Sequence, residues 1–238
     1  MIRSSILCVV ISINTLLSHA QKADYPQLFG KDWDAAIEFV SKNSNRFDKY
    51  LNTNEISKDL AIAIIFPELI RYSALRNKME VGMLKTLYVY KGAAYANFSV
   101  GHFQMKPSFA QQVLAETKRY RIKWANRYFR DIYKTNDSIA YRRKIVAMLD
   151  NFEGQAILLV AFIKICDLKY GLNEMVESDR VKIYSTAYNG GIHLRYDQLM
   201  ALMRKKHYHI GFKSSKELFS YADISHYYWL LEQTNRNN

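Results

Sequence analysis

The segment that most constrains the fold is FEGQAILLVAFIKICDLKY, residues 152–170, because it is apolar almost all the way round a helix. A helix of this kind cannot face water on any side and must be surrounded by other elements. With 238 residues, of which 49% are apolar, the chain is long enough to build that surrounding core. We therefore expect a central helix inside a mainly α-helical fold.

Other parts of the chain also repeat apolar residues at helical spacing. This spacing predicts helices in six further segments: residues 32–51, 57–77, 107–120, 139–151, 178–189 and 196–208. In the second of them Ser57 is a suitable N-terminal cap, and Pro67 interrupts the pattern. Residues 86–105 differ, since they are aromatic, β-branched and glycine-bearing, and they predict a short hairpin or an irregular excursion.

The N-terminal segment, residues 1–20, has the pattern of a secretory signal: Arg3, then an apolar stretch, then small residues. We expect cleavage before Gln21, export to the periplasm or cell envelope, and no stable membrane span afterwards. An uncleaved anchor is the alternative. No repeat or linker divides the rest, so an arm with a helix, residues 21–56, is expected to pack on one domain, residues 57–238. Cys166 would then be the single cysteine, placed in a core helix.

The formal net charge of +12 favours acidic partners, which could be nucleic acid, anionic lipid or a carboxylate-bearing wall polymer. Residues 118–130, KRYRIKWANRYFR, interleave basic and aromatic residues as single-strand nucleic-acid binders do. For an exported chain we expect no nucleic-acid partner. We interpret this run as a solvated helix face or as a patch for acidic wall peptides.

A lone glutamate, Glu68, follows Pro67 at the end of the apolar run LAIAIIF. Burial would raise the pKa of its carboxyl, so that the group could be protonated near neutral pH and serve as a general acid. Pro67 removes one helical hydrogen bond beside it and lets the backbone kink. The alternative is a glutamate that faces water or pairs with Arg71 or Arg76.

Two further motifs follow along the chain. GHFQMKP contains Gly101, which permits a close backbone approach, and Gln104, which offers an amide. AYNGG contains Tyr188 and Asn189 before a glycine pair that ends a helix. Each motif alone is typical of an ordinary turn or helix end.

Taken in order, the three motifs resemble those of the soluble lytic transglycosylase and goose-type lysozyme superfamily. The matching positions are Glu68; Gly101, Gln104, Met105 and Pro107; and residues 187–191. The chain departs from the family pattern at Leu69, where a serine is usual and whose hydroxyl Ser73 could replace, and at His102 and Phe103 before the glutamine. More residues separate Glu68 from Gly101 than in the compact members of the family, which indicates an insertion, residues 77–97, that could form a wall.

This resemblance implies a lysozyme-like domain that cleaves the β-1,4 bond between N-acetylmuramic acid and N-acetylglucosamine in peptidoglycan. Glu68 would protonate the glycosidic oxygen and then deprotonate the muramoyl 6-hydroxyl, which gives a 1,6-anhydro end. Tyr188 would hydrogen-bond Glu68, while Gln104 and Asn189 would position the glycan or brace the cleft. The resemblance implies no cofactor.

The residues themselves leave alternatives open. Tyr95 and Phe98, with Tyr88 and Tyr90, could present flat faces to sugar rings, or they could be core residues. Glu80 is a candidate second carboxylate, which would make the protein a hydrolysing lysozyme.

A catalytically silent peptidoglycan-binding scaffold is a further alternative. His207 and His209 lack a third ligand in the sequence pattern, so no metal site is expected. The expected partner is the peptidoglycan glycan strand, bound by a monomer.

Overall fold

The computed structural model describes residues 23–75, 81–210 and 218–236. The predicted signal segment, residues 1–20, and the candidate carboxylate Glu80 lie outside these residues. The described residues form α-helices and two isolated antiparallel bridges, Val100 with Met105 and Tyr208 with Phe219, without a sheet. The predicted mainly α fold class is confirmed.

The described chain contains twelve α-helices. They are α1 (Tyr25–Phe29), α2 (Lys31–Lys42), α3 (Ser44–Leu51), α4 (Lys58–Leu75), α5 (Val81–Lys91), α6 (Pro107–Arg119), α7 (Lys123–Tyr133), α8 (Ser138–Leu149), α9 (Phe152–Tyr170), α10 (Glu177–Gly190), α11 (Tyr196–Met203) and α12 (Tyr221–Arg236).

Helix α9 is the central helix that its sequence predicts. Its residues from Gly154 to Ile163 are all buried, as are Ile165 and Cys166. Helices α3, α4, α6, α8 and α10 all pack against it. Asn151 caps its N-terminus by accepting a hydrogen bond from the Gly154 amide at 2.7 Å, and Gly171 ends it in the left-handed region.

Helix α4 is the second buried helix, and it carries Glu68. Ser57 precedes it and accepts from the Leu60 amide at 3.4 Å, as expected for a cap. Residues 59–70 are all buried, with α2, α10 and α12 packed around them. Pro67 lies inside this helix without ending it, because packing on all sides holds the chain in place.

The expected hairpin in residues 86–105 is wrong over its first part. Helix α5 extends to Lys91, and its Tyr88 and Val89 are buried on the side that packs against α8. Arg142 of α8 donates to the Val89 carbonyl at 2.6 Å and so satisfies the C-terminal end of α5. Tertiary packing therefore overrides the β-forming tendency of these residues. Only residues 92–106 form an irregular loop.

Two smaller differences concern the remaining helices. The segment 32–51 is split at Asn43, whose side-chain amide donates to the Phe39 carbonyl at 2.8 Å and ends α2. Ile37, one of the apolar residues at helical spacing in this segment, is exposed. Helix α12 packs on α4 and α10.

Taken one at a time, none of the described helices is long and apolar enough to cross a membrane. Helices α8 and α9 pass that test only as a pair, and they meet at 96°.

Candidate functional site

Glu68 opens into a small polar pocket beside α4, which we call the Glu68 pocket. Its side chain is held between packed helices, so the residue is only 5% exposed. The pocket encloses about 80 Å³. Its lining consists of Glu68, Arg71, Ser99, Gln104, Met105, Lys106, Phe109, Tyr188 and Asn189. These residues come from α4, the loop before α6, α6 itself and α10, so three separate parts of the sequence meet here.

The carboxyl of Glu68 lacks the partners that an ionised group needs. Its Oε2 is buried and accepts no hydrogen bond from the described residues, and Arg71 Nη1 lies 3.7 Å away. Burial raises the pKa of Glu68 from 4.5 to about 7, while the charges of Arg71 and Lys106 and the neighbouring Tyr208 hydroxyl act in the opposite direction. The group can therefore hold a proton near neutral pH and release it with a small change in its surroundings.

Three buried tyrosines surround this carboxyl: Tyr188 from α10, Tyr208 after α11, and Tyr221 at the start of α12. Burial, followed by the nearby Glu68 charge, raises the pKa of each one, so all three stay neutral donors. Tyr208 donates to the Pro67 carbonyl at 2.8 Å, and Tyr221 donates to the Ile64 carbonyl at 3.0 Å. Since a hydroxyl has one proton, Tyr208 cannot give it to Pro67 and Glu68 at once.

The tight turn of residues 100–105 forms one wall of the pocket. Gly101 has φ 68°, and a Cβ at this position would lie 1.6 Å from Gln155 Nε2, so only glycine fits. Gln155, buried in α9, accepts from the Phe103 amide at 2.9 Å and donates to the Leu149 carbonyl. The Gln104 side chain folds back to donate to the Gly101 carbonyl at 2.9 Å. The central helix therefore fixes this wall.

The structure brings most of the predicted site residues together. Glu68, Gln104, Met105, Tyr188 and Asn189 all line the Glu68 pocket. Arg71, which the sequence offered as a pairing partner for Glu68, also lines the pocket.

Of the aromatic residues offered as sugar contacts, Phe98 and Tyr88 fit the alternative that they are core residues. Tyr95 is 69% exposed, Phe98 packs against the core, and neither lines the pocket. Tyr88 is fully buried and cannot stack on a sugar.

Tyr188 does not make the hydrogen bond to Glu68 that the resemblance implies. Its hydroxyl donates to the Phe103 carbonyl at 2.7 Å and so ties α10 to the turn of residues 100–105. Asn189 pairs through its amide nitrogen with His207 Nε2 at 2.9 Å. Both residues therefore support the pocket wall.

A second cavity, which we call the aromatic cavity, is lined in part by His102 of the same turn. It encloses about 180 Å³ between α2 and α4. The His102 ring lies 4.3 Å from that of Phe39 and 4.2 Å from that of Tyr72. Leu69 and Ser73 also line this cavity, so the Ser73 hydroxyl does not take the place of a serine in the Glu68 pocket.

Sequence reasoning did not identify Gln155, Lys106 or Tyr208 as parts of the site. Gln155 carried a signal, since a glutamine inside an otherwise apolar helix must find buried partners. Tyr208 lies between two histidines in the sequence, and that pattern does not indicate that it is buried beside Glu68. Among the described residues no group of three or more His, Cys, Asp or Glu is placed to hold a metal ion. Cys166 is buried, and burial raises the pKa of its thiol well above the ordinary value.

The chain has no significant match among known protein families, curated proteins or solved structures.

Proposed function

We propose that the protein is an exported enzyme that cleaves peptidoglycan glycan strands as a lytic transglycosylase, with Glu68 as its single acid and base. The observation that carries this proposal is the carboxyl of Glu68, which is buried, incompletely paired and open to a polar pocket, with its pKa raised to about 7. A glycosidic oxygen needs such a proton donor to become a leaving group. The order of the three motifs supports the choice of peptidoglycan.

The reaction requires two proton transfers at one carboxyl. Protonated Glu68 gives its proton to the glycosidic oxygen as the bond from that oxygen to C1 of the muramoyl ring breaks. The resulting carboxylate accepts the proton of the 6-hydroxyl on the same ring, and O6 forms the new bond to C1. Glu68 ends protonated again, and the product carries a 1,6-anhydro ring. Both steps use a pKa near the working pH.

The cationic lining suits an acidic glycan. Arg71 and Lys106 flank the carboxyl, and they could bind the lactyl carboxylate of a muramoyl residue. A volume of about 80 Å³ is well below the roughly 300–1,000 Å³ of pockets that enclose a whole ligand. The pocket therefore takes the reacting oxygen atoms, while the sugar rings lie across its mouth.

Hydrolysis remains the second candidate reaction. It would need a second carboxylate to activate water. Of the described residues that line the pocket, Glu68 is the one with a carboxylate, and Glu80 lies outside the described part of the chain. The chemical nature of the new glycan end separates the two reactions.

The test is mass spectrometry of soluble products released from purified sacculi by the mature protein and by Glu68→Gln. Asp59→Asn is the matched control, because Asp59 is a second buried carboxylate on α4. We expect anhydro-muropeptides from the wild type and the control, and none from Glu68→Gln. Products with reducing ends would replace the proposal with a lysozyme reaction. Equal activity of Glu68→Gln and wild type would refute the role of Glu68.

A further inference from the structure

Helix α7 carries a row of cations on one face, which we call the α7 basic row: Lys123, Arg127, Arg130 and Lys134. Their spacings of four, three and four residues place them along the same side of a helix. All four are exposed, and with Asn126 and Tyr133 they line an open groove of about 390 Å³.

Asp131 lies on the same helix as the α7 basic row, but it forms no ion pair with any member of the row. Among the described residues no carboxylate lies within ion-pair distance of any of its members, whereas Lys58, Lys85 and Arg180 each have one. Like charges three or four residues apart on a helix repel each other by a few tenths of a kcal/mol per pair. The α7 basic row therefore has a local positive potential, and a bound anion would reduce the repulsion between its members.

The opposite face of α7 is already occupied. Ala125, Phe129 and Ile132 are buried against the domain, so this face cannot insert into a bilayer. The half-buried rings of Trp124 and Tyr128 pack on each other with centroids 4.8 Å apart, and Lys118 Nζ lies 4.2 Å from the ring centroid of Tyr133. This face therefore does not present the row of free rings that single-strand binders use to stack bases. Both the membrane surface and the single-stranded nucleic acid therefore fit this face less well than a carboxylate-bearing chain.

We propose that the α7 basic row binds the carboxylates of acidic stem peptides on a peptidoglycan strand and so anchors the enzyme to its polymer away from the Glu68 pocket. The choice of polymer rests on the proposed function. From Lys123 to Lys134 the row extends for about 16 Å at 1.5 Å per residue, which suits several carboxylates in sequence. No member of the row lines the Glu68 pocket, so binding and cleavage are separable.

The experiment measures co-sedimentation with purified sacculi, with Glu68→Gln as the background so that the polymer stays intact. The test variant adds Arg127→Glu and Arg130→Glu. The control adds Lys31→Glu and Lys91→Glu, two exposed cations on α2 and α5, and so has the same net charge. At low salt we expect the test variant to bind sacculi at least roughly tenfold more weakly than the background protein. The control should bind nearly as the background does. The difference between test and control should shrink at high salt, because salt screens the charges.

A second arm identifies the anion. Sacculi whose carboxylates have been converted to neutral amides should bind the background protein as weakly as the test variant binds untreated sacculi. Vesicles with anionic phospholipid and a single-stranded oligonucleotide are the competing probes. Equal binding of test and control variants to untreated sacculi would overturn the proposal, as would a loss confined to vesicles or to the oligonucleotide.

A third measurement keeps this proposal distinct from the proposed function. With Glu68 restored, Arg127→Glu/Arg130→Glu should cleave short glycan fragments that contain muramoyl residues but no peptides at the same rate as Lys31→Glu/Lys91→Glu. Loss of sacculus binding with unchanged cleavage supports the anchor. If binding depended on α7 but the protein showed no cleavage activity, the proposed anchor would stand and the proposed enzymatic function would be refuted.

Discussion

Two buried carboxylates on the same helix, Asp59 and Glu68, lie in opposite situations. Asp59 is 4% exposed, and it accepts from Arg236 at 2.7 Å and Gln233 at 3.0 Å, both on α12. Glu68 is equally buried, yet its Oε2 accepts no hydrogen bond from the described residues and its nearest cation lies 3.7 Å away. Asp59 lines neither the Glu68 pocket nor the aromatic cavity, whereas Glu68 lines the first.

The comparison shows that burial of a carboxylate does not by itself identify a catalytic residue. The buried carboxylate of Asp59 links α4 to α12, because Arg236 and Gln233 each donate to one of its oxygens. A buried carboxylate with partial partners is costly to ionise and keeps its proton close to neutral pH. The combination of burial, missing partners and an open pocket makes Glu68 the candidate catalytic residue.

The largest expected effect separates the two carboxylates by activity. Glu68→Gln should lower the cleavage rate of sacculi by about 10²-fold to 10⁴-fold, the range for loss of a general acid and base. Asp59→Asn should retain the wild-type rate per folded molecule within about threefold, since it touches no part of the pocket. Rates are measured by product release at matched folded concentration. A comparable loss of cleavage rate in both variants would contradict a catalytic role that Glu68 has and Asp59 lacks.

The pH dependence of stability should also distinguish Glu68. Because its pKa rises from 4.5 to about 7 on folding, the native state retains a proton that the unfolded chain has released. The resulting stabilisation is complete below pH 4.5 and disappears as pH rises through about 7, by roughly 3 kcal/mol in total.

The measurement is urea unfolding of the wild type and of Glu68→Gln from pH 4 to pH 8, with Asp59 intact in both. The free energy of unfolding of the wild type should fall relative to that of the variant over this window. The rate constant kcat/KM should fall above pH 7 as Glu68 loses its proton. Parallel stability curves for the two proteins would contradict the raised pKa.

A smaller effect concerns the partner of Asp59. Arg236→Ala leaves a buried carboxylate with Gln233 alone, which should lower the free energy of unfolding by about 2 kcal/mol. Arg236 is 57% exposed, so water screens the pair and the loss stays well below that of a fully buried ion pair. Arg236→Lys is the matched control and should recover part of the loss. Urea unfolding at pH 8 checks the difference, and unchanged stability would show that the pair contributes nothing.

The smallest expected effect tests the cation beside Glu68. The Arg71 charge lowers the pKa of Glu68, so Arg71→Met should move the alkaline limb of the kcat/KM profile to higher pH. Arg71→Lys keeps the charge and should keep the limb in place. The midpoint of the limb is the decisive measurement, because a purely structural role would lower the rate without moving it.

The fold could be predicted from the sequence where the apolar pattern had a single solution. The all-round apolar segment around residues 152–170 required a central helix, and Pro107 and Ser57 indicated correct helix starts. The pattern failed at Tyr88 and Val89, where β-branched and aromatic residues form a helix. Their burial against α8 is a tertiary contact that local propensity does not contain.

The candidate site was partly predictable for a similar reason. The motif residues Glu68, Gln104 and Tyr188 follow from types and order, and the structure gathers them in one pocket. The partner of Tyr188 and the role of Gln155 did not follow, since each hydrogen bond joins residues far apart in sequence, 85 and 52 positions respectively.

By itself, the sequence determined a mainly helical chain, a single glutamate behind a proline in an apolar run, and a basic segment around residues 118–130. Only the tertiary structure decided that, among the described residues, Oε2 of Glu68 has no hydrogen-bond partner while both oxygens of Asp59 have one, and that the cations of α7 align without forming ion pairs. The physical reason is that burial and charge pairing depend on which distant segments pack together, and those contacts set the cost of ionisation.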